Sequence, residues 1–298
     1  MIKLGLVSEV TNYHTLAFSR LINGADDSKP ENDRTTTMKG IPIPDARIVS
    51  IYDPNPDEAK KLSKARFIDH VARSLEKMYK QGLDGVIVIT NDATMDHGEQ
   101  SIGFLEQGIP TYIDKPLAPT LEKAERLITL SREKGALMMS CSALRYAREL
   151  EEFQKGREEV GEIVVGVGVA AVGEVLRYGI HPLELVHTVI GRGVEYVQNV
   201  GDEGSNVVKI AYPDGRRIVL LAFKNISYTL EGVFYGKKGR RAVIVKDDGY
   251  FYSNMLKHFV EGIKNKRMPI PLEDTLEIVK ICLAAERSLK TGERVYLN

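Results

Sequence analysis

The run Gly85-Val86-Ile87-Val88-Ile89 is apolar without a break. A strand with one wet face alternates apolar and polar residues. An unbroken run belongs to a strand covered on both faces, as in the middle of a parallel sheet. The neighbouring sequence agrees. Around the strand expected over Gly85–Thr90, β-branched runs occur at Ile2–Val7, Arg47–Tyr52, Thr111–Ile113 and Ala136–Ser140, with a weaker one near Phe67. Amphipathic stretches separate them: His14–Asn23, Asp57–Ala65, Val71–Gln81, Asp96–Gln107 and Leu121–Lys134. Strand–helix–strand repetition with short connections implies right-handed crossovers and a doubly wound sheet. Only Gly24–Asp45, rich in Pro, Asp, Asn and Thr, breaks the rhythm and reads as a long surface loop.

After about Arg145 the pattern changes. Glu162–Ala170, Asn206–Tyr212, Arg217–Phe223, Ser227–Tyr235 and Arg241–Lys246 read as strands of a mostly antiparallel sheet, with turns at Pro213-Asp214-Gly215 and Lys237-Lys238-Gly239. His181–Ile190, Met255–Lys264 and Leu272–Leu289 read as helices. The expected class is α/β: a doubly wound parallel sheet over residues 1–143, then an α+β domain with an open sheet over 144–298, its final helices packing back on the first domain. The 298 residues suit two domains.

Charge excludes some partners. Lys and Arg number 41 against 41 Asp and Glu, which removes a global case for nucleic acid or an anionic membrane. The longest uncharged apolar stretch, Ile163–Gly173, is about half of the ~20 residues a membrane span needs. Cys141 and Cys282, the only cysteines, sit in apolar settings and cannot found a disulfide framework. With no leader pattern at Met1-Ile2-Lys3-Leu4, the expected location is the cytoplasm.

Chemistry is expected at the carboxyl ends of the parallel strands. The first strand-to-helix turn, Gly5-Leu6-Val7-Ser8-Glu9-Val10-Thr11-Asn12-Tyr13-His14, lacks the glycines of a dinucleotide fingerprint. Ser8, Thr11 and Asn12 supply polar contacts there or cap the helix. Gly166-Val167-Gly168-Val169-Ala170-Ala171 matches the fingerprint by letter, but Val165, Val167 and Val169 alternate as in a strand, so the glycines are assigned to close packing. Asp53 ends the second strand, where an acid accepts from ribose hydroxyls and repels a 2′-phosphate, favouring NAD over NADP; Asp53-Pro54-Asn55-Pro56 is also strong turn chemistry. Lys115, in Asp114-Lys115-Pro116, directly follows a strand and faces the ligand crevice. His181, in Tyr178-Gly179-Ile180-His181-Pro182-Leu183-Glu184, is placed at a helix start with Pro182 at the favoured first position. Its imidazole suits removal of an alcohol proton, and Glu184 one turn later is placed to orient the ring. A metal reading through His181, Glu184 and His187 is disfavoured because six residues separate the histidines, not the four that share a helix face.

Together these positions resemble the Gfo/Idh/MocA family of NAD(P)-dependent oxidoreductases. His97-Gly98-Glu99-Gln100, Leu105–Gly108 and Tyr112-Ile113-Asp114-Lys115-Pro116-Leu117-Ala118 are similar to the family's H-x-E-Q and E-K-P-L-A block with its spacing intact. Ser142-Ala143-Leu144-Arg145-Tyr146, Gly161-Glu162-Ile163 and the C-terminal Phe259–Gly262 and Ala284–Gly292 extend the match. The resemblance implies a Rossmann domain, an α+β domain whose sheet makes homo-dimers or homo-tetramers, and Lys115 and His181 as catalytic residues. It implies cofactor contacts at Ser8, Thr11, Asn12, Asp53, Asn91, His97, Asp114 and Lys115. Asp114 replaces the family glutamate, and Arg177 stands where D-x-G-x-H has its acid. The activity implied is hydride transfer between NAD and a hydroxyl-bearing carbon of a sugar, sugar acid or inositol-like substrate. Arg145, Arg177, Tyr178 and Glu184 are expected at that substrate, and no metal is called for. The competing readings are a regulatory protein that binds dinucleotide or sugar without turnover, and a lyase that oxidises transiently with retained NAD.

Overall fold

A computed structural model describes residues 1–10, 12–26, 34–90, 95 and 97–297. The chain forms two compact units, Met1–Cys141 with Asp248–Leu272, and Ser142–Asp247 with Glu273–Asn298. Among the described residues no helix is long and apolar enough to cross a membrane.

The first unit alternates β1 (Ile2–Val7), α1 (Tyr13–Asn23), β2 (Ala46–Tyr52), α2 (Pro56–Ala65), β3 (His70–Val71), α3 (Leu75–Tyr79), β4 (Gly85–Val88), α4 (His97–Glu106), β5 (Thr111–Ile113), α5 (Leu121–Lys134) and β6 (Met138–Met139). Its sheet has the order β3-β2-β1-β4-β5-β6, and every pairing is parallel. The strand order reverses between β1 and β4, which creates a crevice at their carboxyl ends. All four residues of β4 are buried, as its unbroken apolar run requires. Local chemistry sets the helix ends. Asn55 caps α2 with Pro56 in its first turn, Thr120 caps α5, and Gly135 at φ 63° ends it. The helix expected over Val71–Gln81 shrinks to α3, because Val71 pairs into β3 and Ser74 caps the chain just before Leu75. The strand expected near Phe67 forms at His70 instead; Phe67 itself turns the chain at φ 54°. Helix Asp248–Lys264 completes the unit, beginning seven residues before the expected Met255. Gly249 on it lies so close to the Lys39 carbonyl that a Cβ would collide.

In the second unit, α6 (Arg148–Lys155) precedes β7 (Ile163–Ala170) and α7 (Ile180–Ile190), followed by β8 (Tyr196–Asn199), β9 (Ser205–Ala211), β10 (Arg217–Phe223), β11 (Leu230–Gly236), β12 (Arg240–Ile244) and, after the final helix Leu272–Thr291, β13 (Val295–Tyr296). The sheet order is β12-β11-β7-β10-β9-β8-β13, antiparallel except for β7 beside β10. The expected α/β class with a second, mostly antiparallel sheet is the fold observed. The letter-match glycines lie in β7 and let α7 approach. A Cβ on Gly166 would collide with Val186 and Ile190, and one on Gly168 would come within 3.0 Å of the Pro182 carbonyl.

The helix carrying His181 starts earlier than Pro182 suggests. Val175–Gly179 already winds with the wide π spacing, the Gly179 N–H reaching the Glu174 carbonyl at 3.0 Å, and runs without a break into α7. His181 is therefore the second residue of α7 and continues an existing turn, a correction to its expected place at a helix start.

Candidate active site

In the first unit the carboxyl edge of the sheet is densely hydrogen-bonded. Asp53, 6% exposed, accepts the Val10 N–H on Oδ2 at 2.7 Å and the Asn55 N–H on Oδ1 at 2.7 Å. The buried Ser8 hydroxyl lies 3.5 Å from Oδ2 and 3.4 Å from the Tyr52 carbonyl. Burial pushes the Asp53 carboxyl upward against these donors. Asp53 organises its own turn through Asn55, as the turn reading expects, and it also holds the glycine-free loop through Val10. Asn12 caps α1 by accepting the His14 N–H at 2.9 Å and donates to the Thr90 carbonyl at 2.8 Å. Thr11 and Asn91 lie outside the described residues.

Lys115 lies just past β5, after Asp114, 5% exposed, with a cis peptide bond to Pro116. Asp114, fully buried, places Oδ2 2.7 Å from His14 Nδ1, and the other ring nitrogen of His14 lies 3.0 Å from the Tyr252 hydroxyl. The His14 ring stacks on Phe18 at 5.2 Å. Burial works against the Asp114 charge, yet the positive field and hydrogen bond of His14, joined by Lys115, hold its carboxyl far below the ordinary range. His14 was not singled out from the sequence as a site residue. Its position two residues after the Asn12 cap was the available signal, but nothing local reports an acid 100 positions away. His97 is fully buried and accepts the Thr90 N–H on Nδ1 at 2.8 Å, so it ties the start of α4 to the end of β4.

In the second unit, His181 Nδ1 lies 2.8 Å from the hydroxyl of Ser142, which is fully buried. The Tyr178 ring stands edge-on to the imidazole, with centroids 6.0 Å apart. Glu184 is engaged by Arg145 and the Ser142 backbone. Its Oε2 accepts from Arg145 Nε at 2.7 Å, the two side chains being 2% and 10% exposed, and its Oε1 lies 3.4 Å from the Ser142 N–H. Arg145 also faces Asp274 at 3.7 Å, which Arg192 holds at 2.9 Å. Arg145 and Glu184 are thus buried partners of each other. Arg177, about one-third exposed, pairs with Glu174 at 3.2 Å and lies 5.9 Å over the Tyr178 ring. The disfavoured metal set is not assembled, since Glu184 is engaged by Arg145 and His187 by Glu277 at 2.9 Å.

The first-unit edge fits a dinucleotide. An acid ends β2, and a carboxylate has about four lone-pair sites, so the protein donors on Asp53 leave room for a ribose hydroxyl. Two buried oxygens, Thr15 Oγ1 in the first turn of α1 and Asp114 Oδ1, have no hydrogen-bond partner among the described residues. A polar edge left unsatisfied in this way is the pattern of a ligand-binding edge.

The strand order and this edge define a dinucleotide-type α/β fold. Residues 33–141 match the family model described as "Oxidoreductase family, NAD-binding Rossmann fold". That is the model of the Gfo/Idh/MocA oxidoreductases, which the motif resemblance also pointed to. Over 86% of this chain and 90% of the relative, the sequence is 26% identical to the scyllo-inositol 2-dehydrogenase (NAD(+)) of Bacillus subtilis. A probable dehydrogenase from Thermotoga maritima shares the fold over 99% of both chains, with a TM-score of 0.82 at 16% identity. The scyllo-inositol dehydrogenase of Lactobacillus casei, solved with NAD(H) and scyllo-inositol, matches over 99% of both chains, with a TM-score of 0.81 at 15% identity.

Proposed function

We propose that this chain is an NAD-linked dehydrogenase that oxidises a secondary hydroxyl of an inositol-like polyol, sugar or sugar acid. The observation that carries this reading is Lys115: a nearly buried ammonium at the carboxyl end of β5, beside a carboxylate held ionised, in a Rossmann sheet. An ammonium there holds the substrate oxygen and stabilises negative charge as it develops. His181 takes the hydroxyl proton through Nε2, in the tautomer whose Nδ1–H donates to Ser142 Oγ. Bound nicotinamide supplies the acceptor for the hydride that leaves the carbon, so alcohol and NAD become ketone, NADH and a proton. Asp53 favours NAD over NADP by accepting from the ribose hydroxyls. Tyr178 and Arg177, beside His181, recognise the substrate; the guanidinium suits a carboxylate or phosphate substituent. The expected homo-oligomer through the second sheet belongs to the same reading.

Calorimetric titration with NAD and NADP, followed by a panel of scyllo-inositol, myo-inositol, sugars and sugar acids monitored for reduced cofactor, tests it. Tighter binding of NAD and turnover of at least one polyol are expected. Arg177 in place of an acid is the feature that favours the regulatory alternative. NAD binding with no turnover across the panel would establish that alternative.

A further inference from the structure

The acid position of the histidine motif holds Arg177, and Arg177 turns to Glu174. Glu184, the next acid along the helix, pairs with Arg145. The His181 Nδ1 has a close partner in Ser142 Oγ at 2.8 Å. We propose that Ser142 is the positioning residue that orients the His181 imidazole and accepts from its Nδ1–H when Nε2 acts as base. This rests on the reading of His181 as the base of the reaction.

Ser142 is built for that task. It is fully buried and caps the short turn Ala143–Tyr146, its Oγ receiving the Leu144 N–H at 3.3 Å. Its own N–H points at Glu184 Oε1, which Arg145 anchors in turn. The backbone and an ion pair therefore hold the serine in place before any substrate arrives. With one lone pair on Leu144, Oγ retains a second lone pair and its own proton for the imidazole. When His181 acts as base, Nδ1 carries the proton and donates it to Oγ, which leaves the Nε2 lone pair for the substrate hydroxyl. Once Nε2 is protonated the ring is a cation with two N–H groups, and Oγ still accepts the one on Nδ1. No proton has to leave Ser142 at any stage. A hydroxyl thus orients the ring and accepts from Nδ1–H here without adding a buried negative charge.

The full-length protein labelled with 15N-histidine tests this. The chain has six histidines, and a His181→Gln variant identifies the His181 ring signals. Ser142→Ala is expected to shift the His181 Nδ1 resonance and alter the tautomer balance while the other five rings keep their shifts. Ser142→Thr, which retains the hydroxyl, is expected to keep the wild-type signature. In turnover, Ser142→Ala is expected to lower kcat by on the order of tenfold to a hundredfold with little change in KM, with partial recovery in Ser142→Thr. His181 signals that remain as in the wild type after Ser142→Ala overturn the proposal. The ring signature needs no substrate. A chain that binds NAD but turns over no polyol would refute the dehydrogenase reading and still leave the Ser142–His181 link to be decided by the spectra.

Discussion

His14 Nδ1 stands 2.7 Å from Asp114 Oδ2, joining the first turn of α1 to the carboxyl end of β5 inside the first unit. The same ring reaches Tyr252 on the helix Asp248–Lys264, so one imidazole connects three elements distant in sequence. Asp114 precedes Lys115, and the pair therefore fixes the backbone from which the proposed catalytic ammonium projects. A glycine-rich first loop would leave α1 no such tie. Here the loop is instead held by side chains, with Asp53 on one flank and His14 on the other.

Removing this partner takes from the buried Asp114 carboxylate its hydrogen bond at 2.7 Å. His14→Ala is expected to destabilise the protein by about 3 kcal/mol, in the range for breaking a buried ion pair. Urea denaturation at neutral pH measures it, and a change below half of that would mean that the pair contributes little.

Asp114 also predicts a pH dependence. Its carboxyl is held below the ordinary range in the folded protein, so its contribution is complete above the unfolded value of about 3.9 and is lost as pH falls below it. Stability should drop between about pH 4 and the acid limit. Asp114→Asn should be less stable at neutral pH yet show a shallower loss in that acid window. Urea midpoints measured at several acidic pH values would reveal parallel slopes if the assignment is wrong.

Asp53 holds the first loop, and under the proposed function it also accepts from the ribose of NAD. Asp53→Ala is expected to weaken NAD by about tenfold, ~1.4 kcal/mol, and NADP by less, which narrows the preference between them. Calorimetry on both dinucleotides reads the ratio. Equal losses would reduce Asp53 to a loop support through Val10 and Asn55.

Lys115→Ala and His181→Ala should each reduce kcat by at least about a hundredfold with the fold intact by circular dichroism. Wild-type turnover in either variant would remove that residue from the chemistry.

Glu184 should behave as a structural residue. Glu184→Gln is expected to cost about 3 kcal/mol in stability by breaking its buried pair with Arg145, seen as a lower denaturation midpoint. A raised KM at unchanged stability would return it to the substrate-binding set.

Much of the architecture is legible in the residues. The unbroken Gly85–Ile89 run announced a strand covered on both faces, and β4 is buried throughout. Asn55, Thr120 and Gly135 mark helix ends through short-range hydrogen bonds and backbone preferences, so sequence shows them. Alternating valines assigned Gly166 and Gly168 to a strand, and the contacts of α7 with both give the packing reason. Elements whose existence depends on a distant partner were not legible. The two-residue β13 forms only because β8 offers it an edge, and neither was anticipated. The π turn before α7 was hidden because Pro182 reads locally as a helix start.

The division within the site follows the same physics. Sequence by itself determined which groups stand at strand ends: Asp53 after β2 and Lys115 after β5 are placed by hydrophobic period and turn chemistry, which act over a few residues. Only the tertiary structure decided what those groups touch. The one-turn spacing made Glu184 the natural partner of His181, but the folded chain brought Arg145 to the acid and Ser142 to the ring. Charge pairing inside a protein is settled by whichever partner burial brings within hydrogen-bonding distance, and those 39 positions of separation carry no local signal.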